Sequence, residues 1–319
     1  MSIRSLAIWF PLILLFVLPP AVQAAPETEA AQKAVLVTGA SSGIGRNIAE
    51  RLAREGFLVY AGARKDEDLQ ELGAIDNVES LRLDVTAQDD IDAAVKTVRR
   101  AGRGLYAVVN NAGVAVFAPM QEVSEKDILW LHNVNVLGPY RVNNAFMPLL
   151  VESGGRTLTI GSISGFISGA RSGAYSMSKF AVEAYTDALA EELADSGVSV
   201  SVIEPGGYRS KIREKVTLHT LIGGVADEGR LTPEQRKALE STRERNAALK
   251  EPDEVSSAVL HALTAARPKL RYMVVPNPEQ ADATLRAALG RVVQLNAEQE
   301  YSYSREQLVA LLDELLAAP

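Results

Sequence analysis

The sequence predicts an α/β fold: one domain on a doubly wound, seven-stranded parallel sheet, with a helical C-terminal extension. Two patterns predict it. Seven short runs rich in Val, Ile and Leu recur along the chain, and amphipathic stretches of helical length separate most of them. Near-continuous apolar strands alternating with helices suit a parallel sheet covered on both faces. Composition adds a third argument. Of 319 residues, 47% are apolar, enough to bury a large core and to argue against global disorder.

The predicted strands are Ala34–Thr38, Phe57–Gly62, Ser80–Leu83, Leu105–Asn110, Arg156–Ile160, Val198–Ile203 and Tyr272–Val275. The predicted helices between them are Gly43–Glu55, Gln88–Arg100, Glu125–Leu150, Ala174–Asp195 and Pro252–Ala266. Residues 33–278 thus form the expected catalytic domain. Within it, 208–249 breaks the alternation and is read as a substrate lid. Residues 279–319 form the helical extension, where Leu308, Leu311, Leu312 and Leu315 share one face expected to pack on the domain itself.

Residues 1–24 are set apart from the fold. Arg4 precedes an apolar run from Leu6 to Leu18, followed by Pro19-Pro20 and the small residues around Ala24. This is the layout of a cleaved secretory signal; an uncleaved membrane anchor is the competing reading. The run is shorter than the roughly 20 residues a spanning helix needs. Either reading implies export or anchoring, in tension with a cofactor supplied chiefly in the cytoplasm. Residues 25–32 read as a linker.

The formal net charge is −7 with no basic block, which argues against nucleic acid as a partner. The absence of cysteine removes disulfides, thiol catalysis and Cys-based zinc sites. His132, His219 and His261 lie far apart, so no protein-bound metal is expected.

The chemistry-bearing motifs come in order. The first strand runs into Thr38-Gly39-Ala40-Ser41-Ser42-Gly43-Ile44-Gly45 and then a helix. Gly39 permits a tight turn, Gly43 a close backbone approach to a pyrophosphate, and Gly45 close packing. The helix N-terminus offers unpaired N–H groups to phosphate. The second strand ends Ala63-Arg64-Lys65 where a carboxylate would hold an unphosphorylated ribose. A guanidinium there suits a 2′-phosphate, so NADP is expected, with NAD the second choice. Tyr175 and Lys179, four apart in a helical segment, lie on one face. An ammonium beside a phenol and the positive nicotinamide ring both favour phenolate, and so lower a pKa otherwise near 10.

Taken together, TGASSGIG, Asn110-Asn111-Ala112-Gly113, Ser162 ahead of Tyr175-x-x-x-Lys179, and Pro205-Gly206 resemble the short-chain dehydrogenase/reductase family over roughly residues 33–275. That resemblance implies a Rossmann-like fold. It implies a nicotinamide site at Gly39, Ser41, Ser42, Gly43, Ile44, Gly45, Arg64, Asp84, Val85, Asn111, Ala112, Gly113, Tyr175, Lys179, Pro205, Gly206 and Ser210. Asp84 would contact the adenine amino group. Ser210 stands where the family usually has threonine. The implied catalytic set is Asn135, Ser162, Tyr175 and Lys179. Tyr175 would be the acid/base, and Ser162, with Ser164 its rival, would hold the substrate oxygen. Asn135 would hold a water linking Lys179 to solvent. The stretch from Pro252 to Pro276 is similar to retinol and hydroxysteroid dehydrogenases. A small, lipophilic ketone or alcohol and a homodimer or homotetramer follow as expectations. The rival readings are a non-catalytic NADP-binding sensor and a sugar-nucleotide epimerase or dehydratase.

Overall fold

The computed structural model describes residues 32–222 and 228–317. The expected signal or anchor, and the linker up to residue 31, lie outside the described residues. From Gln32 onward the chain is one compact unit.

Seven strands form the sheet: β1 Ala34–Val37, β2 Leu58–Ala63, β3 Val78–Arg82, β4 Ala107–Asn110, β5 Arg156–Ile160, β6 Ser199–Pro205 and β7 Arg271–Val274. Their order across the sheet is β3-β2-β1-β4-β5-β6-β7, and every pairing is parallel. The expected Rossmann-like sheet is therefore present. Strand order reverses between β1 and β4, where open α/β sheets leave a crevice beyond the strand C-ends.

The helices are α1 Gly43–Arg54, α2 Asp66–Gly73, α3 Gln88–Ala101, α4 Glu125–Asn135, α5 Leu137–Ser153, α6 Gly173–Glu192, α7 Ile212–Ile222, α8 Pro233–Ala247, α9 Asp253–Thr264, α10 Pro278–Asn296 and α11 Arg305–Ala317. Alternate strand residues feed two cores. Val35, Val37, Val59 and Ala61 pack with Ile48 and Leu52 of α1 and Val255 and Val259 of α9. Leu36, Leu58 and Tyr60 pack on the other face with Ile91 and Val98 of α3 and Val142 and Phe146 of α5. Both faces are covered, which is why the strands read as unbroken apolar runs. Truncating a fully buried Leu such as Leu52 would cost about 2–5 kcal/mol.

Two expectations are corrected. The single helix over Glu125–Leu150 is two, α4 and α5, divided at Val136, whose φ of −111° ends the first and starts the second. The break lets α5 present Asn143 inward. Asn143 Oδ1 accepts from Asn110 Nδ2 at 2.9 Å and from Thr157 Oγ1 at 2.7 Å, and its Nδ2 donates to Tyr185 at 2.9 Å. A satisfied buried amide thus ties β4, β5 and α6 together. Nor does the C-terminal leucine face pack on the domain: α11 buries no residue, and Leu315 is 64% exposed. Helical periodicity specifies an apolar face, not what covers it. By contrast, α10 is held at both ends. Gly207 N donates to Gln280 Oε1 at 2.8 Å, and the Arg291 guanidinium stacks on Phe180 at 4.6 Å.

Candidate active site

A cleft of about 350 Å³ opens at the C-ends of β1, β4, β5 and β6. The turn from β1 to α1 forms its floor. Gly39 and Gly43 take φ of +64° and +58°, a region that side chains strain. A Cβ on Gly39 would come within 2.8 Å of Ala112 Cα. One on Gly45 would collide with the Asn111 side chain and the Gly39 carbonyl. Ser42 caps α1 without a side-chain hydrogen bond, and no acidic residue occupies the first turn. The leading amides of α1 are therefore left for an anion.

Asn111 secures the facing wall. Its Nδ2 donates to the carbonyls of Thr38 and Gly39 at 3.0 and 3.1 Å, and Thr38 Oγ1 accepts from the amides of Asn111 and Ala112. Ala112 and Gly113 line the cleft beside it, as do Ile44, Gly206 and Ser210. Gly43 sits closely under Ser210: a Cβ there would meet Ser210 Cβ at 3.1 Å.

Arg64 leaves the end of β2 and reaches Asp84 Oδ2 at 3.4 Å. Asp84 is further engaged by Thr86, whose amide and hydroxyl donate to Oδ1 at 2.9 and 2.7 Å. Burial raises the Asp84 pKa, but the Thr86 and Arg64 contacts prevail and hold it below the ordinary carboxylate value. Val85 is buried after it and packs against Gly138 of α5.

Opposite stand the residues expected to do chemistry. Ser162, Ser164, Tyr175 and Lys179 all line the same cleft. Ser162 Oγ accepts from the Ser164 amide at 3.1 Å and approaches the Pro205 carbonyl at 3.5 Å, so Ser164 serves the loop with its backbone. Tyr175 and Lys179 lie one turn apart near the start of α6. The Lys179 ammonium stands 5.8 Å from the Tyr175 ring centre and donates to the Ile160 carbonyl at 2.8 Å. Phe117 meets the Tyr175 ring edge-on at 5.6 Å.

Electrostatics corrects one expectation here. Burial pushes the Tyr175 phenol up to about 12, outweighing the Ser162 hydroxyl and the Arg213 guanidinium, which pull it down. The same desolvation draws Lys179 down to about 8 against the opposing Glu183 carboxylate. The cleft thus stores Tyr175 as a neutral phenol instead of a phenolate.

Asn135, the last residue of α4, is buried. Its Oδ1 accepts from Val114 N at 2.8 Å, and its Nδ2 donates to the Val114 carbonyl and to Ser178 Oγ, both at 2.9 Å. It straps the loop after β4 to α6, beside the turn that carries Tyr175 and Lys179.

A second layer lies beneath the serine loop. Glu183, one turn past Lys179, fills the space under Gly165, where a Cβ would come within 2.9 Å of its carboxylate. Its Oε2 accepts from Arg271 Nε at 3.1 Å, while Oε1 of Glu183 and Oε1 of the neighbouring Glu204 have no hydrogen-bond partner, the latter standing 3.8 Å from Arg271 Nε. Burial first, and then Glu183, push the Glu204 carboxyl up to about 8, so the pair holds a proton between them.

Sequence reasoning missed several cleft residues. Lys211, Arg213 and Lys215 reach it from the segment entering α7, and Gln280 from α10. Lys215 is held below the ordinary ammonium value by desolvation and then by the charges of Arg64, Lys211 and Lys65, which gathers these cations at one corner. Spacing four apart was the only signal Lys211 and Lys215 offered.

The family model for short chain dehydrogenase matches residues 33–220. The chain is 35% identical over 75% of its length to mouse retinol dehydrogenase 5, covering 79% of that protein. It is 33% identical over 76% of its length to the mitochondrial D-beta-hydroxybutyrate dehydrogenase of Rattus norvegicus, covering 77% of it. An actinorhodin polyketide ketoreductase solved with NADPH superposes with a TM-score of 0.63 at 27% identity, over 76% of this chain and 96% of that one. The chain belongs to the short-chain dehydrogenase family. It is an oxidoreductase of the nicotinamide-dependent kind.

Proposed function

We propose that the protein is an NADP-dependent reductase/dehydrogenase acting on the carbonyl or alcohol carbon of a lipophilic substrate, with Tyr175 as proton donor and acceptor. One observation carries the reading: the phenol of Tyr175 and the hydroxyl of Ser162 share a cleft with a glycine turn that has no room for a side chain at Gly39 or Gly45. The unpaired amides of α1 suit the pyrophosphate. Arg64, Lys65, Lys211 and Lys215 suit a 2′-phosphate, since they gather more positive charge at one corner than the nearby Asp84 and Asp68 carboxylates offset. Bound NADPH would supply a hydride to the carbonyl carbon.

The chain's own residues supply the rest. Ser162 Oγ donates to the substrate oxygen and stabilises the charge forming there. Tyr175, kept protonated by burial, gives its proton to that oxygen. Lys179 stays fixed by the Ile160 carbonyl, where its ammonium steadies the resulting phenolate. Asn135 keeps α6 at its station against the Val114 loop. The described parts of segment 208–249, α7 and α8 among them, act as the lid, residues 223–227 lying outside the described residues, and Val114, Phe117, Ile163, Tyr208 and Ile212 give the substrate an apolar wall. Leu129, Leu137, Tyr140 and Val151 are exposed on α4 and α5, which suits pairing with a second copy.

The test is turnover of a panel of lipophilic ketones and alcohols with NADPH and with NADH. Reduction that prefers NADPH and collapses in Tyr175→Phe is the expected result. Preference for NADH, or a Tyr175→Phe variant near wild-type rate, would overturn it.

A further inference from the structure

The cleft does not end at Tyr175. Phe117 and Arg213, which line it, also line a neighbouring lobe of about 380 Å³ together with Val216, Thr217, Thr242, Arg245 and Leu249. The lobe lies between α7 and α8. Its chemistry is unlike that of the main cleft. Two arginines face it, and neither forms an ion pair with any described residue. Arg245 spends two of its donors on Ser241 Oγ at 2.6 Å and Thr242 Oγ1 at 3.1 Å, contacts that aim the guanidinium without neutralising it. Arg213 stands close enough to the Tyr175 phenol to stabilise its ionised form.

The rest of the lining sharpens this contrast. The chain carries a net charge of −7, yet among the described residues no Asp or Glu lines either the cleft or the lobe. Nearby acids are used elsewhere. Glu214, Glu228 and Glu240 all pair with Arg243. A carboxylate on α7 or α8 could have neutralised Arg213 or Arg245, and in both cases it is missing. Guanidinium groups without an ion-pair partner among the described residues, beside an apolar edge from Val216 and Leu249, match an anionic head on a hydrocarbon stem; the hydroxyls of Thr217 and Thr242 are spent on the carbonyls of Arg213 and Ala238. Guanidinium presents the planar donor fork that a carboxylate accepts in bidentate fashion.

We propose that the substrate is an oxo or hydroxy acid. Its reacting carbon would lie at Tyr175 and Ser162, its chain against Phe117, and its carboxylate would be held in the side lobe by Arg213 and Arg245. The inference rests on the reductase reading and narrows it from lipophilic carbonyl compounds to those carrying a terminal acid. The two arginines are specificity residues, bound to the end of the substrate that does not react.

The experiment uses the full chain with NADPH, a series of linear oxo acids of increasing length, and their methyl esters. At the best length, the acid should exceed its ester in kcat/KM by about ten- to a hundredfold, the range for a charge-assisted contact. In Arg213→Gln and in Arg245→Gln the acid-to-ester ratio should fall toward one, mostly through KM. Arg213→Lys, which keeps the charge and loses the fork, should retain an intermediate ratio. NADPH fluorescence titration of each variant identifies any that fails to fold, and either glutamine variant suffices. An ester used as well as its acid at every length would overturn the inference while leaving the reductase reading intact. So would a ratio that survives both glutamine variants. If neither acids nor esters are turned over while the wider ketone panel is, this inference falls and the reductase reading stands; if nothing in either series is turned over, both fall.

Discussion

The floor and the roof of the cleft are built on opposite principles. The floor is made of backbone: glycines at positive φ, amides at the head of α1, and an asparagine that satisfies two carbonyls. A side chain at Gly39 or Gly45 would collide with the facing wall. The roof is made of long charged side chains on α7 and α8, many of them exposed and most of them cationic toward the cleft. A pyrophosphate is the same in every nicotinamide dinucleotide, so a rigid backbone cradle serves it. A substrate tail varies between enzymes, and side chains on surface helices can change without disturbing the sheet. The difference yields a ranking of expected effects.

The largest effect belongs to the reacting group at the junction of the two halves. Tyr175→Phe should lower kcat/KM by about a hundred- to ten-thousandfold, the usual contribution of a positioned proton donor, with NADPH binding retained. Steady-state kinetics beside a fluorescence titration checks both parts. Next comes the floor's edge. Arg64→Ala should weaken NADPH by about ten- to a hundredfold and leave NADH nearly unaffected, the value of a charge-assisted contact to a phosphate. Comparing KM for the two cofactors tests it, and equal weakening of both would move the 2′-phosphate elsewhere.

The floor was legible in the sequence for a physical reason. Residues Gly39 to Gly45 and the pair Tyr175 and Lys179 act through local geometry, so a few adjacent positions spell them out. The seven strands were legible because burial on both faces leaves continuous apolar runs. The roof was not. Lys215 faces Arg64 across about 150 positions of chain, and no local pattern announces that meeting. Arg213 and Arg245 stand out by having no ion-pair partner among the described residues, which only a fold can reveal. The helix break at Val136 was hidden because Leu137, Gly138 and Pro139 continue a composition that a helix start tolerates. The rise of the Tyr175 pKa was misjudged because spacing shows the ammonium but not the desolvation.

A smaller effect probes the layer under the serine loop. Glu204 binds its proton more tightly folded than unfolded, with a folded value of about 8 against an ordinary 4.5. Its contribution to stability is therefore full below about pH 4.5 and is lost as pH rises through about 8. Thermal unfolding followed across that window should show Tm falling with rising pH, by an amount equivalent to about 1–3 kcal/mol. In Glu204→Gln, which is neutral at every pH and can still donate to Glu183, the slope should flatten. A slope unchanged by the substitution would place the titration elsewhere.

The smallest expected effect separates roof from floor most cleanly. Lys215 extends part of its side chain into solvent while sitting among Arg64, Lys65 and Lys211. The repulsion among these cations is present in the empty and the loaded cleft alike, so removing the Lys215 charge costs binding only its own attraction to the phosphate. Exposed charges also act through a screened field. Lys215→Gln should therefore raise KM for NADPH only about two- to fivefold at low salt, and the difference should vanish near 1 M salt, where the Debye length falls to about 3 Å. The Arg64→Ala defect should persist there, because a guanidinium in direct contact with phosphate is not screened in the same way. If both defects faded together with salt, the corner would be a diffuse positive field and Arg64 no more than one part of it.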